Sequence, residues 1–519
     1  MNQSKPSRAA QSVLQPGRNC WRIETAHRAS CLIDGEEYFP AVKQVLLRAQ
    51  HSVLLLAWDF AERARLEPGN PHASEPDRIG DLLQTLVASR KDLQVRVLVW
   101  DKAMWLALRR QRIPGMQAQH LNDERLRYIL DDRHPTLACH HQKVLVIDDT
   151  IAFCGGFDLA ANRWDTRAHL RHDRRRHKPS GQPYQPHHDV MMAVNGPAAR
   201  ALGDLARARL YRATGERLEP AAPGQDPWPE CLKPDFWDVP VGIARTIPAW
   251  QDQVGIREVE QLYIDAIASA RQTIYMENQY LASHRVGDAL AERLTELDGP
   301  EIVIINPQHA PSTIEQMAMD HARTVIVQRL RDADRFGRLR CYAALTEDAE
   351  IVVHSKVMVV DDRFLRIGSS NLNNRSMGTD TECDLAIDAT PGMEREADIR
   401  KAIRHVRNRL VAEHVGASIR DLSKATNEYA SVIGAIERLN GRSSRRLVKF
   451  PEAQPSHTST YAHDRLTDPA SPPVGELRRR FRLGRKGGGA RLAVGGLMSL
   501  SVCVLLWWMD ARSRRSKSS

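Results

Sequence analysis

The sequence predicts an α/β protein built from two pseudo-symmetric halves, and three observations lead to that prediction. A block reading His-x-Lys, four apolar residues and Asp occurs at 141–148 and again at 354–361. A second repeat, Gly-Asp followed by two apolar residues, begins at Gly80 and again at Gly287, at nearly the same offset along the chain. Helical and strand-like segments also alternate along both halves. The similar offsets indicate an internal duplication, and the alternation indicates a largely parallel sheet in each half.

The elements follow the same order in both halves. Apolar residues at helical spacing predict helices, and short runs rich in Val, Ile and Leu predict buried strands. In the first half the pattern predicts helix 37–50, strand 52–60, helix 78–90 and strand 93–101. In the second half it predicts helix 258–271, strand 273–281, a helix from 287 and strand 302–306.

Each repeated block contains a further predicted strand, at 144–147 and at 357–360. Side chains two residues apart in a strand project from the same face, so each His should lie beside its Lys. Each Asp follows its His on the opposite face, about 23 Å further along an extended chain. We therefore expect both Asp residues to support the site by pairing or capping locally. The candidate catalytic residues of the blocks are His141, Lys143, Asp148, His354, Lys356 and Asp361.

Two imidazoles and two ammonium groups suit the cleavage of a phosphodiester. The lysines can neutralise charge that develops on the phosphate oxygens. One neutral His can attack phosphorus and form a phosphohistidine, while the other, protonated, gives a proton to the leaving alcohol and later activates water or another alcohol. This chemistry calls for no metal and no cofactor. A single such His is more often a hydrogen-bonded core residue, but the paired His-x-Lys spacing favours function.

The two blocks resemble the HxKxxxxD signature of the phospholipase D superfamily, and further motifs match. They are GGFDL at 155–159, RWDT at 163–166, ENQY at 277–280, NLNNRS at 371–376 and DTE at 380–382. This set is more similar to the phosphatidylcholine-type phospholipases D than to the nuclease or cardiolipin synthase branches. The resemblance spans roughly residues 30 to 415. It implies two α-β-α halves with the active site at their interface, and a phospholipase D activity with transfer to alcohols.

The resemblance also implies roles for individual residues. An acid commonly orients a catalytic imidazole, and by resemblance Glu382 and Asp189 are the partners of the two histidines. Glu382 follows His354 more closely than Asp189 follows His141, and a basic insertion at 170–187 accounts for most of the difference. Family resemblance favours His141 as the nucleophile and His354 as the general acid.

Further residues are expected to contact substrate or to support the site. Trp58, Trp164 and Tyr280 are candidates to hold a quaternary ammonium group by cation–π contact, with an ordinary core role as the alternative. Ser376 is a candidate supporting residue. The candidate substrate-binding residues are Asp158, Trp164, Glu277, Asn278, Tyr280, Asn371 and Asn373.

Composition shifts divide the chain into seven segments. Eight scattered cysteines without a Cys-x-x-Cys pair indicate free thiols rather than a zinc site or a disulfide framework. The first residues contain no apolar stretch, so no secretory signal is predicted. The predicted segments are a disordered lead-in (1–29), the first half (30–218), a linker (219–240), the second half (241–417), a tether with a basic juxtamembrane stretch (418–491), a transmembrane helix (492–509) and a basic tail (510–519).

The predicted transmembrane helix rests on eighteen residues without a formal charge, Leu492–Met509. As a helix they would span about 27 Å, just enough for a bilayer core. Trp507 and Trp508 at one end are typical of a membrane interface. The larger basic cluster precedes this segment, which favours a cytoplasmic catalytic domain held by a C-terminal anchor.

The charge distribution favours a lipid over a nucleic acid as partner. Residues 478–519 carry eleven Lys or Arg and one acid, a net charge of +10 that equals the net charge of the whole chain. Residues 1–477 are therefore formally neutral, whereas a nucleic-acid enzyme is expected to carry basic charge on its catalytic core. Basic residues around an apolar segment can instead attract anionic lipid.

Because both blocks lie in one chain, we expect a monomer to be the catalytic unit.

Two alternative functions remain open from the sequence. A cardiolipin synthase-type phosphatidyltransferase would use the same chemistry with phosphatidylglycerol as acceptor, although that branch usually carries its membrane segments at the N-terminus. A non-catalytic, membrane-tethered lipid-binding protein is the alternative from another class. The intact His and Lys in both blocks argue against this last alternative.

Overall fold

A computed structural model describes residues 11–69, 76–101, 124–135, 138–222, 228–309, 319–451 and 468–470. Apart from Asp101, these residues belong to one compact unit that comprises 1–100 and 114–472. Both repeated blocks lie in this unit. The helices are α1 (Asp34–Leu46), α2 (Ile79–Ser89), α3 (Pro197–Thr214), α4 (Glu258–Ser269), α5 (His284–Thr295), α6 (His321–Ala333), α7 (Asn374–Gly378), α8 (Glu396–Val415), α9 (Ile419–Tyr429) and α10 (Val432–Leu439).

The strands repeat one arrangement in the two halves. Those of the first half are β1 (Arg22–Ile33), β2 (Ser52–Ala57), β3 (Gln94–Trp100), β4 (Leu126–Asp131), β5 (Val144–Ile147), β6 (Ile151–Gly155), β7 (His187–His188) and β8 (Val190–Asn195). Those that follow are β9 (Phe236–Ile247), β10 (Ile256–Arg257), β11 (Thr273–Glu277), β12 (Glu301–Asn306), β13 (Leu339–Thr346), β14 (Ala349–Glu350), β15 (Val352–Val353), β16 (Val357–Val360), β17 (Phe364–Gly368), β18 (Glu382–Asp388) and β19 (Arg445–Lys449).

Strand pairing shows the pseudo-symmetry directly. The first half has the order β4-β3-β2-β5-β6-β8-β1, and the second half has the equivalent order β13-β12-β11-β16-β17-β18-β9. The antiparallel pair β1–β9 joins the two halves, with Arg22 opposite Ile243 and Ala29 opposite Phe236. A two-fold relation between the halves follows from this central pair.

The sheet of each half is mixed, so the prediction of a largely parallel sheet was wrong. Among the described strands of the two sheets, only β2–β3–β4 and β11–β12–β13 are parallel. Helix α2 lies between β2 and β3 along the chain, α5 between β11 and β12, and α6 between β12 and β13. The strand of each repeated block returns through a three-residue turn, and so short a connection permits only antiparallel pairing. The repeated blocks therefore sit in the antiparallel part of each sheet.

Apolar side chains divide between two faces of each sheet. Along β2, Val53 and Leu55 pack into a cluster with α1 and α2, whereas Leu54 and Leu56 point into the largest apolar cluster. This largest cluster also contains Tyr275 and residues of β16, β18 and α8, so it lies between the halves. Alternation along the strand explains the division. The interface between the halves is therefore a hydrophobic core.

Several predicted boundaries differ from the structure. Strand β1 begins inside the predicted lead-in, and β9 begins inside the predicted linker. The predicted tether starts with α9, α10 and β19, and β19 pairs with the edge of β13. These elements are stabilised by long-range pairing, which local composition does not reveal.

The fold class needs one correction, which concerns the predicted transmembrane helix. Within the described ranges, no helix is both long enough and apolar enough to cross a membrane. The segment on which the prediction rested, Leu492–Met509, lies outside the described residues. We therefore correct the fold class to a mixed α/β fold of two halves and omit the transmembrane helix from it.

Candidate active site

Short strand contacts bring each repeated block against the other half. His140 forms a parallel bridge with Thr381, and the backbone N–H of His141 donates to the Thr381 carbonyl at 3.0 Å. In the equivalent place, β15 pairs in parallel with β7, and the N–H of His354 donates to the His188 carbonyl at 2.8 Å. Each catalytic candidate His therefore enters the interface next to the acid of the opposite half.

The histidine–acid pairs cross between the halves. Nδ1 of His141 lies 3.0 Å from both carboxylate oxygens of Glu382, and Nδ1 of His354 lies 2.7 Å from Oδ2 of Asp189. The structure thus brings together the histidines and acids that the sequence singled out. The sequence did not assign either acid to a particular His, and the structure pairs each His with the acid of the opposite half.

The two lysines of the blocks are buried beside their histidines. Nζ of Lys143 donates to the His141 carbonyl at 3.0 Å and lies 3.4 Å from Oδ2 of Asp158. Nζ of Lys356 also donates to the carbonyl of its neighbouring His354, and it lies 3.4 Å from Oε1 of Gln279. Burial lowers the pKa of Lys356 to about 7. An anion that binds in this site would therefore stabilise the positively charged form of these lysines.

The histidines keep one ring nitrogen for a ligand. Each Nδ1 contacts an acid, and within the described ranges neither Nε2 has a hydrogen-bond partner. The side chains of His141 and His354 remain 12% and 9% exposed. Burial, together with Lys143 and Lys356, lowers the pKa of His141 well below its usual value. Burial and Lys356 also lower the pKa of His354, whereas Asp189 opposes them.

The two acids differ in their surroundings. Burial raises the pKa of Glu382 well above its usual value, although the Ser369 hydroxyl donates to it at 2.5 Å. Burial would also raise the pKa of Asp189, but contacts with His354 and His187 hold it well below its usual range. Asp189 is therefore the more strongly ionised of the two acids.

Ser369 and Gly156 occupy equivalent positions and were not predicted as site residues. A Cβ at Gly156 would lie 1.9 Å from Oδ1 of Asp189, so glycine alone allows this carboxylate its position. In the second half, the same position carries the Ser369 hydroxyl, which also accepts from the N–H of Cys383. When the two repeated blocks are aligned in sequence, Gly156 and Ser369 fall at the same position. This alignment could have identified both residues as site residues.

The two Asp residues that end the repeated blocks do not contact the histidines. Asp148 accepts hydrogen bonds from three consecutive N–H groups, at Gln50, His51 and Ser52, each at 2.7 Å. Asp361 accepts from the equivalent groups at 271–273, at 2.6–2.8 Å. Both hold the turn that precedes β2 or β11. The structure thus places them in a supporting position, not among the reacting groups of the candidate catalytic set.

The predicted polar substrate contacts fall into two groups. Asp158 lies 3.4 Å from Nζ of Lys143 and accepts from the N–H of Trp58 at 2.9 Å. The buried Oδ1 of Asn371 has no hydrogen-bond partner within the described ranges. Asn373 instead caps α7 by accepting from the Ser376 N–H at 3.0 Å. The structure therefore gives Asn373 a structural contact.

Glu277 and Asn278 are fully buried inside the protein. Glu277 contacts Nε2 of His188 at 2.9 Å, Nε2 of His414 at 3.0 Å and the Ser355 hydroxyl at 2.6 Å. Asn278 accepts from the Leu372 N–H at 2.9 Å. Both residues support the interface from behind the histidines and have no exposed surface for substrate.

The three aromatic residues that were predicted to contact substrate have different surroundings. Arg175 already lies over the ring of Trp164, 4.9 Å from its centroid, so the protein itself supplies a cation there. Trp58 stacks on Trp100 and meets the His141 ring edge-on at 6.5 Å. Tyr280 is half-buried and accepts from the Gln279 amide at 3.0 Å. Trp58 is therefore the aromatic residue that the structure brings to a catalytic candidate.

A cavity of about 220 Å³ lies beside the residues that precede His141 and Glu382. Nε of Arg209 donates to Asp131 at 2.9 Å, while its two terminal nitrogens are buried without a hydrogen-bond partner within the described ranges. Such unpaired donors favour an anionic ligand. The lining includes three arginines, Arg133, Arg209 and Arg212, and two acids, Asp131 and Asp252.

Comparison with known proteins agrees with the site. A family model described as "Cardiolipin synthase, PLD-like domain" matches residues 263–405. Phospholipase D A of Dictyostelium discoideum is 25% identical over 426 residues, which cover 68% of this chain and 32% of that protein. Phospholipase D alpha 1 of Zea mays is 23% identical over 502 residues, which cover 69% of this chain and 61% of that protein. The chain thus spans less than two thirds of the length of these relatives.

Among solved structures, the phosphatidylserine synthase of Haemophilus influenzae is 15% identical, with a TM-score of 0.47 over 84% of this chain and 99% of that chain. The paired His-x-Lys blocks, the two-half fold and the sequence relatives together define the class of protein. The chain belongs to the phospholipase D superfamily.

Proposed function

We propose that the protein is a phospholipase D, which hydrolyses the distal phosphodiester of a glycerophospholipid to phosphatidic acid and a free headgroup. The observation that supports this proposal most directly is the crossed pair of His–acid contacts, 3.0 Å and 2.7 Å long, with a buried lysine beside each His. Such an arrangement supplies two oriented imidazoles and two cations to one phosphate. The names of the sequence relatives agree with a phospholipid substrate.

In the first step, Nε2 of His141 attacks phosphorus and the bond to the headgroup oxygen breaks. His141 suits this role because burial and the nearby lysines lower its pKa and keep it neutral. The anionic phosphate, bound against the lysines, favours the protonated form of His354. His354, with ionised Asp189 at its Nδ1, then gives its Nε2 proton to the leaving alcohol.

In the second step, neutral His354 takes a proton from water, whose oxygen attacks phosphorus. The phosphorus–nitrogen bond to His141 breaks, phosphatidic acid leaves and both histidines return to their starting forms. An alcohol in place of water yields a phosphatidyl alcohol by the same sequence. Lys143 and Lys356 neutralise the phosphate oxygens in both steps.

The first test is product analysis with the purified full chain, phosphatidylcholine vesicles and a small amount of ethanol. We expect phosphatidic acid and phosphatidylethanol together, because one covalent intermediate partitions between two acceptors. A folded protein that turns over none of the common glycerophospholipids would contradict the proposal.

The second test assigns the nucleophile by acid quench and detection of an acid-labile phosphohistidine. We expect His354→Ala to retain the ability to be phosphorylated when the leaving group is good, and His141→Ala to lose it. The matched control is His405→Ala, which removes an exposed imidazole elsewhere in the second half. Labelling of His354 in the His141→Ala protein would reverse the two roles.

A cardiolipin synthase-type transfer to phosphatidylglycerol is the second candidate, and the arginine-lined cavity favours it. The unpaired guanidinium nitrogens of Arg209 could bind the phosphate of an anionic acceptor. We expect Arg212→Ala, at the rim of this cavity, to weaken the use of phosphatidylglycerol while leaving transfer to ethanol unchanged. An equal loss with both acceptors would remove the support for this candidate.

A further inference from the structure

A cluster of buried histidines and carboxylates lies at the interface, next to the active-site acid of the first half. Asp34 begins α1, His169 follows the RWDT motif, His188 lies in β7 and Glu413 lies near the end of α8. All four side chains are fully buried. We propose that these four residues form a tetrahedral binding site for a divalent metal ion, with zinc as the expected ion.

The distances among the donor atoms fit this geometry. Nε2 of His169 lies 3.4 Å from Oδ2 of Asp34 and 3.2 Å from Oε1 of Glu413. Nδ1 of His188 lies 3.0 Å from the other oxygen of Asp34, Oδ1, and 2.8 Å from Oε1 of Glu413. In a tetrahedral site with zinc–ligand bonds of about 2.0–2.1 Å, neighbouring donors lie about 3.3 Å apart. Each nitrogen thus has two carboxylate oxygens at the separation that a shared ion would set.

Two of the donor atoms lack any other partner. Oδ2 of Asp34 and Nδ1 of His188 are buried, and neither has a hydrogen bond of acceptable geometry within the described ranges. Nδ1 of His188 faces two carboxylates at once, and a single proton on it would satisfy only one. Buried polar atoms without partners are costly. An ion at the common centre would satisfy all four donor atoms together.

The remaining ring nitrogens have the partners that metal-bound histidines normally have. Nδ1 of His169 lies 3.0 Å from Asp165, and Nε2 of His188 lies 2.9 Å from Glu277. A carboxylate at the far nitrogen orients the ring and increases its basicity toward a metal. Both histidines of the cluster have this arrangement independently.

Charge and access indicate a structural ion. The carboxylates of Asp34 and Glu413 balance a divalent cation, and four protein donors leave no open position for substrate. Three donors come from the first half, whereas Glu413 comes from α8 of the second half. His188 precedes Asp189, the partner of His354. The ion would therefore join the halves and position Asp189.

The experiment is metal analysis of the full chain, purified without a polyhistidine tag and dialysed against a chelator. We expect about one equivalent of zinc per chain, in keeping with a closed four-ligand site. After Co²⁺ replaces zinc, we expect the intense visible absorption of tetrahedral cobalt. Asp165→Asn should weaken metal affinity about 10-fold or more, because it removes the partner of a ligating His. His405→Ala, which alters an exposed His, should retain the full equivalent.

Wild-type protein decides the question even if variants of the ligands fail to fold. A folded, metal-free wild-type chain whose thermal midpoint does not rise on addition of Zn²⁺ would overturn the proposal. Protonated imidazoles would then balance the carboxylates. Metal that is retained equally by His169→Ala and by wild type would also overturn it, because the ion would lie elsewhere.

Discussion

The acids beside His141 and His354 give the two histidines different environments. Glu382, held by the Ser369 hydroxyl, has a raised pKa, whereas Asp189 stays ionised. An ionised acid stabilises a protonated imidazole, which suits a general acid. A less ionised acid leaves its imidazole neutral, which suits a nucleophile. This difference between the acids supports the roles that we propose for His141 and His354.

Replacing each acid should affect the steps differently. We expect Asp189→Asn and Glu382→Gln each to lower turnover of phosphatidylcholine by about 10²–10⁴-fold, the usual contribution of acid–base catalysis. With phosphatidyl-p-nitrophenol, which needs no general acid, Asp189→Asn should accumulate phosphohistidine, whereas Glu382→Gln should not. Rapid acid quench measures the intermediate, and accumulation in the Glu382→Gln protein instead would contradict the assignment.

Lys356 should impose a pH dependence on substrate capture. Burial lowers its pKa to about 7, so its charge is present below that pH and is lost as the pH rises through it. We expect kcat/KM for phosphatidylcholine to fall by about tenfold per pH unit well above 7, since kcat/KM reports the free enzyme.

The control for this pH dependence is Lys356→Arg, because a guanidinium keeps its charge throughout the range. The kcat/KM that this variant retains should not fall as the pH rises above 7. A wild-type profile that stays flat to pH 9 would show that the charge on Lys356 is not needed for capture.

At the scale of elements, each turn before β2 and β11 depends on one carboxylate. Asp361 accepts from three N–H groups in a row, so Asp361→Ala should lower the free energy of unfolding by at least about 2 kcal/mol. At temperatures well below unfolding, kcat should change little, because Asp361 does not contact either His. Asp398→Ala, at an exposed position of α8, should cost no more than about 0.5 kcal/mol. Chemical denaturation of both variants provides the measurement.

The parts of the fold that the sequence predicted are those determined by local pattern. The strands 144–147 and 357–360 occur where the apolar runs predicted them, and β2 and α4 differ by a few residues at their ends. The central strands β1 and β9 were not predicted, because each is stabilised by the other, which lies far away along the chain. Periodicity within a short window carries no information about such a partner.

The same limit applies to the site. The two His-x-Lys pairs and Glu382 could be singled out from motifs, since each motif lies within a few residues, whereas Asp189 was singled out by family resemblance. The sequence could not predict which acid contacts which His, because the chain between each His and the acid that follows it is long enough to allow either pairing. Gly156 was overlooked because its role is to leave space for Asp189, and an absent side chain gives no chemical signal.

At the scale of the whole molecule, His141 and His354 each contact an acid of the opposite half, so neither half holds a catalytic candidate histidine together with its acid. We expect polypeptides 1–222 and 223–519, produced separately, to have no phosphohydrolase activity. Produced together, they should assemble through the β1–β9 pair and the core between the halves, and should recover activity. Co-purification and lipid turnover measure the two parts of this prediction. Activity of either polypeptide alone would show that a half can complete its own site.

The crossed contacts also bear on how such a chain could arise. A single ancestral half would have been inactive as a monomer, because its histidine needs an acid from another copy. Two identical copies in a symmetric homodimer would have completed each other, but every mutation would have altered both histidine–acid pairs at once. Gene fusion removes that constraint. It allows one pair to keep Asp beside Gly156 and the other to adopt Glu beside Ser369, so that nucleophile and acid could specialise.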